Sequence, residues 1–594
     1  MSDAGKTVRI GGASGAWGDS PLGVEQLVRA DVQYLMMDYL AEVTMSLLAR
    51  ARMKDPEAGW PPDFVAYLRP HLAEIAKRGI KVVSNAGGVN PEGCKRALEA
   101  LIAEAGLALK VAVVTGDDLL PMAATLRAQD VREHVSGAPL PAKLLTANAY
   151  LGAQPIAAAL HEGADIVVTG RCADSALALG ILMHAFGWSA DDYDRLGAGS
   201  LVGHILECGP QATGGLFTDW ERVPGWENIG YPIAECEADG SFVLTKPAGT
   251  GGLVEPAGVA EQVLYEVGDP AAYVLPDVIA DFSQVTVVAE GADRVRVRGA
   301  RGKPPTRQYK VSATYQDGFR GVALAAIIGV DAVRKAERSA LALVERARMR
   351  FAARGLPDFT RTHVEALGGE AVYLEASRAR ASREVVMRLV VEHADPKALE
   401  LFAREVGSAG LSFAQGTAAL IGGRPKATPV VRLFTFFIDK DAAPAVRVQV
   451  GGAAPFTVAI PQGGEAPAAR VPPQPATAPD HPAWVEVPLL QLAHARSGDK
   501  GDSSNIAIFS RDARYMDHLR RVLTPQRLAA HFAGTVQGPV VRYEAPGLHA
   551  FNFLIGEALG GGGMASMRID ALGKAYGQRA LEMLVPVPAE WAQA

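Results

Sequence analysis

Cysteine is scarce. Cys94, Cys172, Cys208 and Cys236 are scattered through 594 residues, and no two form a CxxC pair. That excludes a dense disulfide framework and a zinc knuckle, and fits reduced thiols in a cytosolic protein. Long apolar runs are missing as well. "VVRLFTFFI", among the longest, is about half a membrane span, so no membrane partner is expected. The start, "MSDAGKTVRIGG", has no apolar signal core, and a cytoplasmic location follows as the expectation. Lys and Arg number 59 against 65 Asp and Glu, for a net charge of −6, with no basic cluster. No nucleic-acid partner is expected. Two nucleotide signatures are absent too. Gly12, Gly15 and Gly18 are spaced G-x-x-G-x-x-G rather than G-x-G-x-x-G, and no G-K-[ST] follows. A dinucleotide reading then rests only on Asp38, which ends the second candidate strand where a ribose-binding acid would sit.

What is present is ordinary soluble material, 49% hydrophobic and 21% charged. The length implies two to four domains. "TVRIGG", "VQYLMMD", "IKVVSN", "ALKVAVVTG", "AKLLTAN" and "ADIVVTG" are short apolar runs of the kind that strands buried on both faces require. Amphipathic stretches separate them, some opening on Pro or closing on Gly. The expected fold is α/β, with a mostly parallel sheet and helices on both faces over residues 6–280. An α+β layer over 281–460 packs on it. A Pro/Ala-rich linker follows over 461–484, then a small α+β domain over 485–594.

In a parallel α/β sheet, ligands collect beyond the carboxyl ends of the strands. The loops there carry Gly, Asn, Asp and Thr in place of bulky apolar residues, among them Asp38, Glu42, Asn85, Asn148, Arg171 and Asp174. Turns also use these residues, but six such loops on one sheet edge point to a site. The opening loop, with Gly12, Ser14 and Gly15, precedes a helix start and could hold a carboxylate or phosphate on free N–H groups; the plain alternative is a tight turn. Arg171 could clamp an oxyanion through two bonds, or pair with Asp174 to fix its own loop. In "GHILECGPQATGG", His204, Glu207 and Cys208 share one helix face and could supply an acid/base pair. A metal site would need more thiolate or imidazole ligands. Lys246 precedes another Gly turn. The tail's "HARSGDKGDSSN" concentrates charge, including Asp499 and Lys500, and "ALGGGGMASMRIDALGK" has four consecutive glycines, which permit close approach of a backbone.

"GGASGAWGDSP", "DYLAEVTM", "SNAGGVNP", "GADIVVTGRCADSALALG", "GHILECGPQATGG" and "KPAGTGGLV" resemble the acyclic terpene utilisation (AtuA-like) family over nearly all of residues 6–455. The tail is similar to that family's smaller ferredoxin-fold domain. The resemblance implies a setting in bacterial catabolism of acyclic terpenes and branched-chain acids, through carboxylated acyl-CoA thioesters made by biotin carboxylases. It supplies no catalytic residues.

The expectation is therefore a lyase or hydratase acting on a small acid or acyl-CoA thioester. Glu207, His204 and Asp38 are its catalytic candidates. Gly12, Ser14, Gly15, Asn85, Asn148, Arg171, Asp174 and Lys246 would bind substrate, and Asp499 and Lys500 would close the site from the same chain or a neighbour. No cofactor or resident metal is expected, apart from CoA as part of the substrate. A homo-oligomer is expected only as the general rule for large catabolic enzymes. One alternative is a non-catalytic subunit of an acyl-CoA carboxylase pathway; another is a metal-dependent hydrolase or lyase using His204, Glu207 and Asp38 or Asp174.

Overall fold

The short apolar runs become strands because their side chains are buried on both faces: β1 (Val8–Ser14), β2 (Tyr34–Met37), β3 (Lys81–Ser84), β4 (Val111–Thr115), β5 (Thr146–Ala149) and β6 (Ile166–Thr169). A computed structural model describes residues 6–419, 423–470, 472–473 and 484–592, so part of the expected linker, residue 471 and residues 474–483, lies outside the described residues. Five of the strands run parallel in the order β1-β2-β3-β6-β4. Leu27, Phe64, Leu68 and Leu98 cover one face of this run, and Ile156, Leu182, Leu201 and Ile205 cover the other. Helix Pro91–Glu104 starts on a proline behind an Asn90 cap, and helix Leu72–Arg78 ends on Gly79 at φ 66°, as capping physics requires.

Two expectations need correction. The strand run β5 leaves the parallel sheet and pairs antiparallel with the long strand Gln308–Ile328, Val311 opposite Ala149. A short apolar run carries no mark of which sheet it joins; here Thr146 and Thr314 hydroxyls, 2.7 Å apart and buried, fix the register. The main sheet is also mixed rather than mostly parallel. Strand β7 (Ile233–Cys236) lies antiparallel on β1, and β8 (Phe242–Thr245) on β7. Strands Arg294–Arg298 and Thr286–Gly291 extend that edge, and Arg447–Val450 caps the far side on β4.

The second sheet is organised by the 21-residue strand Gln308–Ile328, flanked by Glu384–His393 and Thr428–Asp439. Helices Ala332–Ala352 and Pro396–Ser412 bury Val333, Leu343, Phe351 and Phe402 against it. The C-terminal unit has a four-stranded antiparallel sheet, in the order Ala493–Lys500, Ser503–Ser510, Ala550–Ile555, Val540–Ala545. Short helices pack Leu519, Phe532 and Leu581 on one face of it.

The other face docks on the first sheet's layer. Phe509 and Ala507 join the large core there. Two fully buried amides lock the joint. Asn505 donates to the Leu264 carbonyl at 2.8 Å and accepts the Glu266 N–H at 3.0 Å, and Asn552 donates to the carbonyls of Val267 (2.8 Å) and Gly268 (2.5 Å). These bonds fix the segment that carries Glu266. Among the described residues no helix is long and apolar enough to cross a membrane.

Candidate active site

Three structural units meet at one cavity of about 850 Å³. The parallel strand ends contribute Glu42, Arg171 and Asp174. The helix Tyr193–Leu206 ends just before Glu207. The second sheet brings Lys310, and the C-terminal unit brings Asp499, Lys500 and Lys574. The remaining wall is largely apolar, with Leu40, Val43, Leu275, Leu433, Phe437 and Met564.

Arg171 is buried and donates to Asp174 and to the Cys172 carbonyl (3.0 Å). Its guanidinium lies 4.2 Å from the Tyr150 ring centre, and the Lys310 ammonium 4.7 Å from the same ring. The Tyr150 hydroxyl donates to Glu42 at 2.5 Å. Burial works against the Glu42 charge, but Lys310, Arg171 and this bond outweigh it and hold its pKa down at about 2. Glu42 is therefore a fixed anion, and its closest cation is Lys310 at a loose 3.9 Å.

Lys500 is matched in the same loose way, 3.5 Å from Glu266. Lys574 holds Glu266 more closely, at 2.8 Å, and also Asp499 at 3.0 Å. Burial opposes the Glu266 charge, yet the two lysines bring its pKa down to about 2. The Lys310 and Lys500 side chains are 40% and 44% exposed, although desolvation pulls the pKa of Lys310 below the ordinary lysine range. Both face the cavity, and the Lys500 charge helps to lower Lys310. For Lys500 burial opposes its charge, while Tyr273, Glu266, Glu207 and Asp174 together raise its pKa well above normal.

Glu207 has no lysine or arginine within ion-pair distance among the described residues. Burial raises its pKa, and His204 only partly offsets that. The His204 Nδ1 is 3.2 Å from Glu207, without the alignment of a hydrogen bond, and its ring packs against Phe282 and Tyr273. The pair expected at i, i+3 exists, but His204 is fully buried behind Glu207 and does not line the cavity.

Several expected binding residues support the site from beneath. Asn85 is fully buried; its Oδ1 accepts the Tyr39 N–H (2.8 Å) and its Nδ2 donates to Asp38 (2.6 Å), so it ties β2 to β3 beneath the site. Asp38 also accepts the Leu40 N–H at 3.1 Å. Burial, then Asp174, raises its pKa well above the carboxylate range, but it lies below the cavity lining. Asn148 donates to Asp117 at 2.8 Å, and Asp117 accepts the Arg171 N–H at 2.8 Å. Asn148 thus positions the Arg171 loop. Lys246 turns away, to the Thr250 carbonyl (3.0 Å) and Asp293 (3.1 Å).

The opening glycine loop holds an anion, but its own. Asp19 accepts the N–H of Gly15 (2.8 Å) and of Ser20 (2.7 Å), and the Tyr231 hydroxyl (2.6 Å). Ser14 donates to the Asp38 carbonyl at 3.0 Å. A Cβ on Gly12 would sit 2.7 Å from the Leu206 oxygen, and one on Gly15 2.8 Å from the Cys208 carbonyl carbon. These glycines let β1 pack against the turn that carries Glu207. The expected substrate contact at Gly12, Ser14 and Gly15 is replaced by this structural one.

Of the expected set, then, Glu207, Arg171, Asp174, Asp499 and Lys500 converge, and the same chain supplies all five. Tyr150, Lys310, Glu266 and Lys574 are the residues sequence reasoning missed. Lys574 sits in the flagged glycine-rich stretch, and Tyr150 two residues past Asn148. Lys310 and Glu266 have no local motif. Burial raises the Cys172 thiol's pKa, as fits a packing role. Among the described residues no three His, Cys, Asp or Glu side chains come together to hold a metal.

Residues 8–449 match the model described as acyclic terpene utilisation family protein AtuA, and residues 487–586 match the AtuA ferredoxin-like domain. No curated protein and no solved structure matches the chain.

Proposed function

Because the chain belongs to the acyclic terpene utilisation family AtuA, we propose that it is a catabolic lyase or hydratase for a carboxylated, branched acid or its CoA thioester. One observation carries this reading: two loosely matched ammonium groups, Lys310 and Lys500, face a partly apolar cavity beside a carboxyl group, Glu207, whose protonated form burial favours. A substrate carboxylate docks between the two lysines, and the hydrocarbon branch lies along Leu40, Leu433 and Phe437.

Two carboxyl groups with opposed surroundings divide the proton work. Asp174, paired with Arg171, takes the proton from the carbon next to the substrate carbonyl. The C–H electron pair forms the C=C bond as the C–O bond breaks, and Glu207 protonates the departing hydroxyl to give water. Hydration is the reverse. The lysines stabilise the negative charge that builds up at the carbonyl as the proton leaves.

The test is turnover of 3-hydroxy and unsaturated branched dicarboxylates, free and as CoA thioesters, by the purified chain. At least one should react, and Glu207→Gln should lower kcat by a factor of about 10² to 10⁴. If no compound in the panel turns over and Glu207→Gln leaves growth on the pathway's substrates intact, the reading fails.

A further inference from the structure

A second cavity, of about 420 Å³, lies between strand Arg361–Leu367 and the ferredoxin-like domain. Three arginines line it, Arg361, Arg568 and Arg579. Arg361 has a carboxylate nearby, Glu392 at 3.6 Å. Among the described residues Arg568 and Arg579 have none within ion-pair distance. Arg568 gives one nitrogen to the carbonyls of Thr535 (3.1 Å) and Ala558 (2.6 Å) and to the Tyr576 hydroxyl at 3.4 Å.

Arg579 is the more telling group. It is 6% exposed, and among the described residues its Nε has no hydrogen-bond partner and its one side-chain bond is a long 3.4 Å to the Thr535 hydroxyl. Its guanidinium lies 4.7 Å from the Phe532 ring centre, with Tyr373 and Tyr576 at 5.4 and 5.5 Å. Aromatic faces return only part of what a buried cation loses on leaving water. Burial accordingly lowers its pKa. Arg542, a buried arginine with a structural role, is treated differently: one nitrogen donates to two carbonyls at 2.7 Å, and Glu544 pairs with another at 3.1 Å.

The acids on the same wall are already engaged. Glu365 is paired with Arg388 and accepts the Ile569 N–H at 2.9 Å, and Asp570 accepts the N–H groups of Lys574 (2.9 Å) and Ala575 (3.1 Å). The His363 Nε2 is buried and lies 3.3 Å from Glu365, without the alignment of a hydrogen bond among the described residues. Among the described residues, then, Arg568 and Arg579 have no carboxylate in direct contact, and Asp570, on the same wall, is turned to backbone N–H groups.

We propose that this second cavity is a binding site for a small molecule bearing an oxyanion group, a phosphate ester or a dicarboxylate, held by Arg579 and Arg568. It is separate from the first cavity but shares a wall with it. In the glycine-rich segment, Gly560, Arg568 and Asp570 line the second cavity, and Gly563, Met564 and Lys574 line the first.

Isothermal titration of the full chain with inorganic phosphate, pyrophosphate and succinate at low salt tests this. At least one should bind with a Kd of about 1 mM or tighter, and whether the phosphates or succinate binds tells the two sources apart. Thr362→Glu, at an exposed position of the cavity wall, should weaken that binding at least about tenfold by like-charge repulsion. Arg579→Gln should do the same, while Lys500→Gln, in the first cavity, should leave the component of binding that depends on Arg579 unchanged. The proposal is overturned if none of the three anions binds. It is equally overturned if Thr362→Glu keeps full affinity, or if Lys500→Gln removes the component that Arg579→Gln weakens.

Discussion

Glu207 and Asp174 line the same cavity but sit in opposite surroundings, one desolvated beside a buried histidine, the other paired with an arginine. With Glu207 as the acid, activity should fall as pH rises through its raised pKa, because the active form is the protonated one. Glu207→Gln should remove that limb along with most of kcat, as a pH–rate profile would record. A second titration bears on stability. Burial raises Asp117 to about 6, so the folded state binds a proton more tightly than the unfolded chain does. Its contribution is fully present below the unfolded value near 4 and is lost as pH rises through about 6, a difference of about 3 kcal/mol. Denaturant titrations from pH 4 to 8 should show stability declining, and Asp117→Asn should flatten that decline. At this scale the sequence made Glu207, Arg171, Asp174 and Lys500 legible, since each stands in a dense polar motif. Lys310 was not, because it lies on a 21-residue strand whose neighbours give no hint of where its side chain emerges.

Among the elements, the glycine-rich turn after β1 and the Leu264–Gly268 segment serve one purpose, holding a carboxylate-bearing turn in place. Gly15→Ala would push a Cβ to 2.8 Å from the Cys208 backbone. The turn must shift, at a cost of about 1 to 3 kcal/mol, and kcat should fall with little change in overall fold, measured by thermal denaturation alongside turnover. Asn552→Ala leaves the Val267 and Gly268 carbonyls without their buried donor and should cost about 1 to 3 kcal/mol. The spacing of the glycines was readable, but their reason was not. Close approach to Glu207 and Cys208 depends on a helix some two hundred residues away in the chain, and no local period encodes it. The same limit explains β5. Its apolar run announces a strand and leaves its partner open.

For the whole molecule, the parallel run, the second sheet and the ferredoxin-like domain each contribute charge to one cavity, and none of them encloses it alone. The β-α alternation and the small tail domain were legible because hydrophobic periodicity is local. The antiparallel half of the main sheet was not, because β7 and β8 are only four residues each and lie between loops rich in Gly and Pro. Since Glu207 and Lys500 line the same chain's cavity, refolding a Glu207→Gln chain together with a Lys500→Gln chain should not restore turnover. Recovery of about a quarter of wild-type activity, as statistical mixing in a dimer would give, would place the two residues on different subunits.

The proposed reaction depends most on Lys310 and Lys500 as the seat of a substrate carboxylate. Calorimetric titration of a branched, unsaturated dicarboxylate into the wild-type chain and into Lys310→Met/Lys500→Met measures this directly. The wild type should bind, and the double variant should lose at least about tenfold, as follows when hydrogen bonds to charged groups are removed. Equal affinity for the two proteins would contradict it.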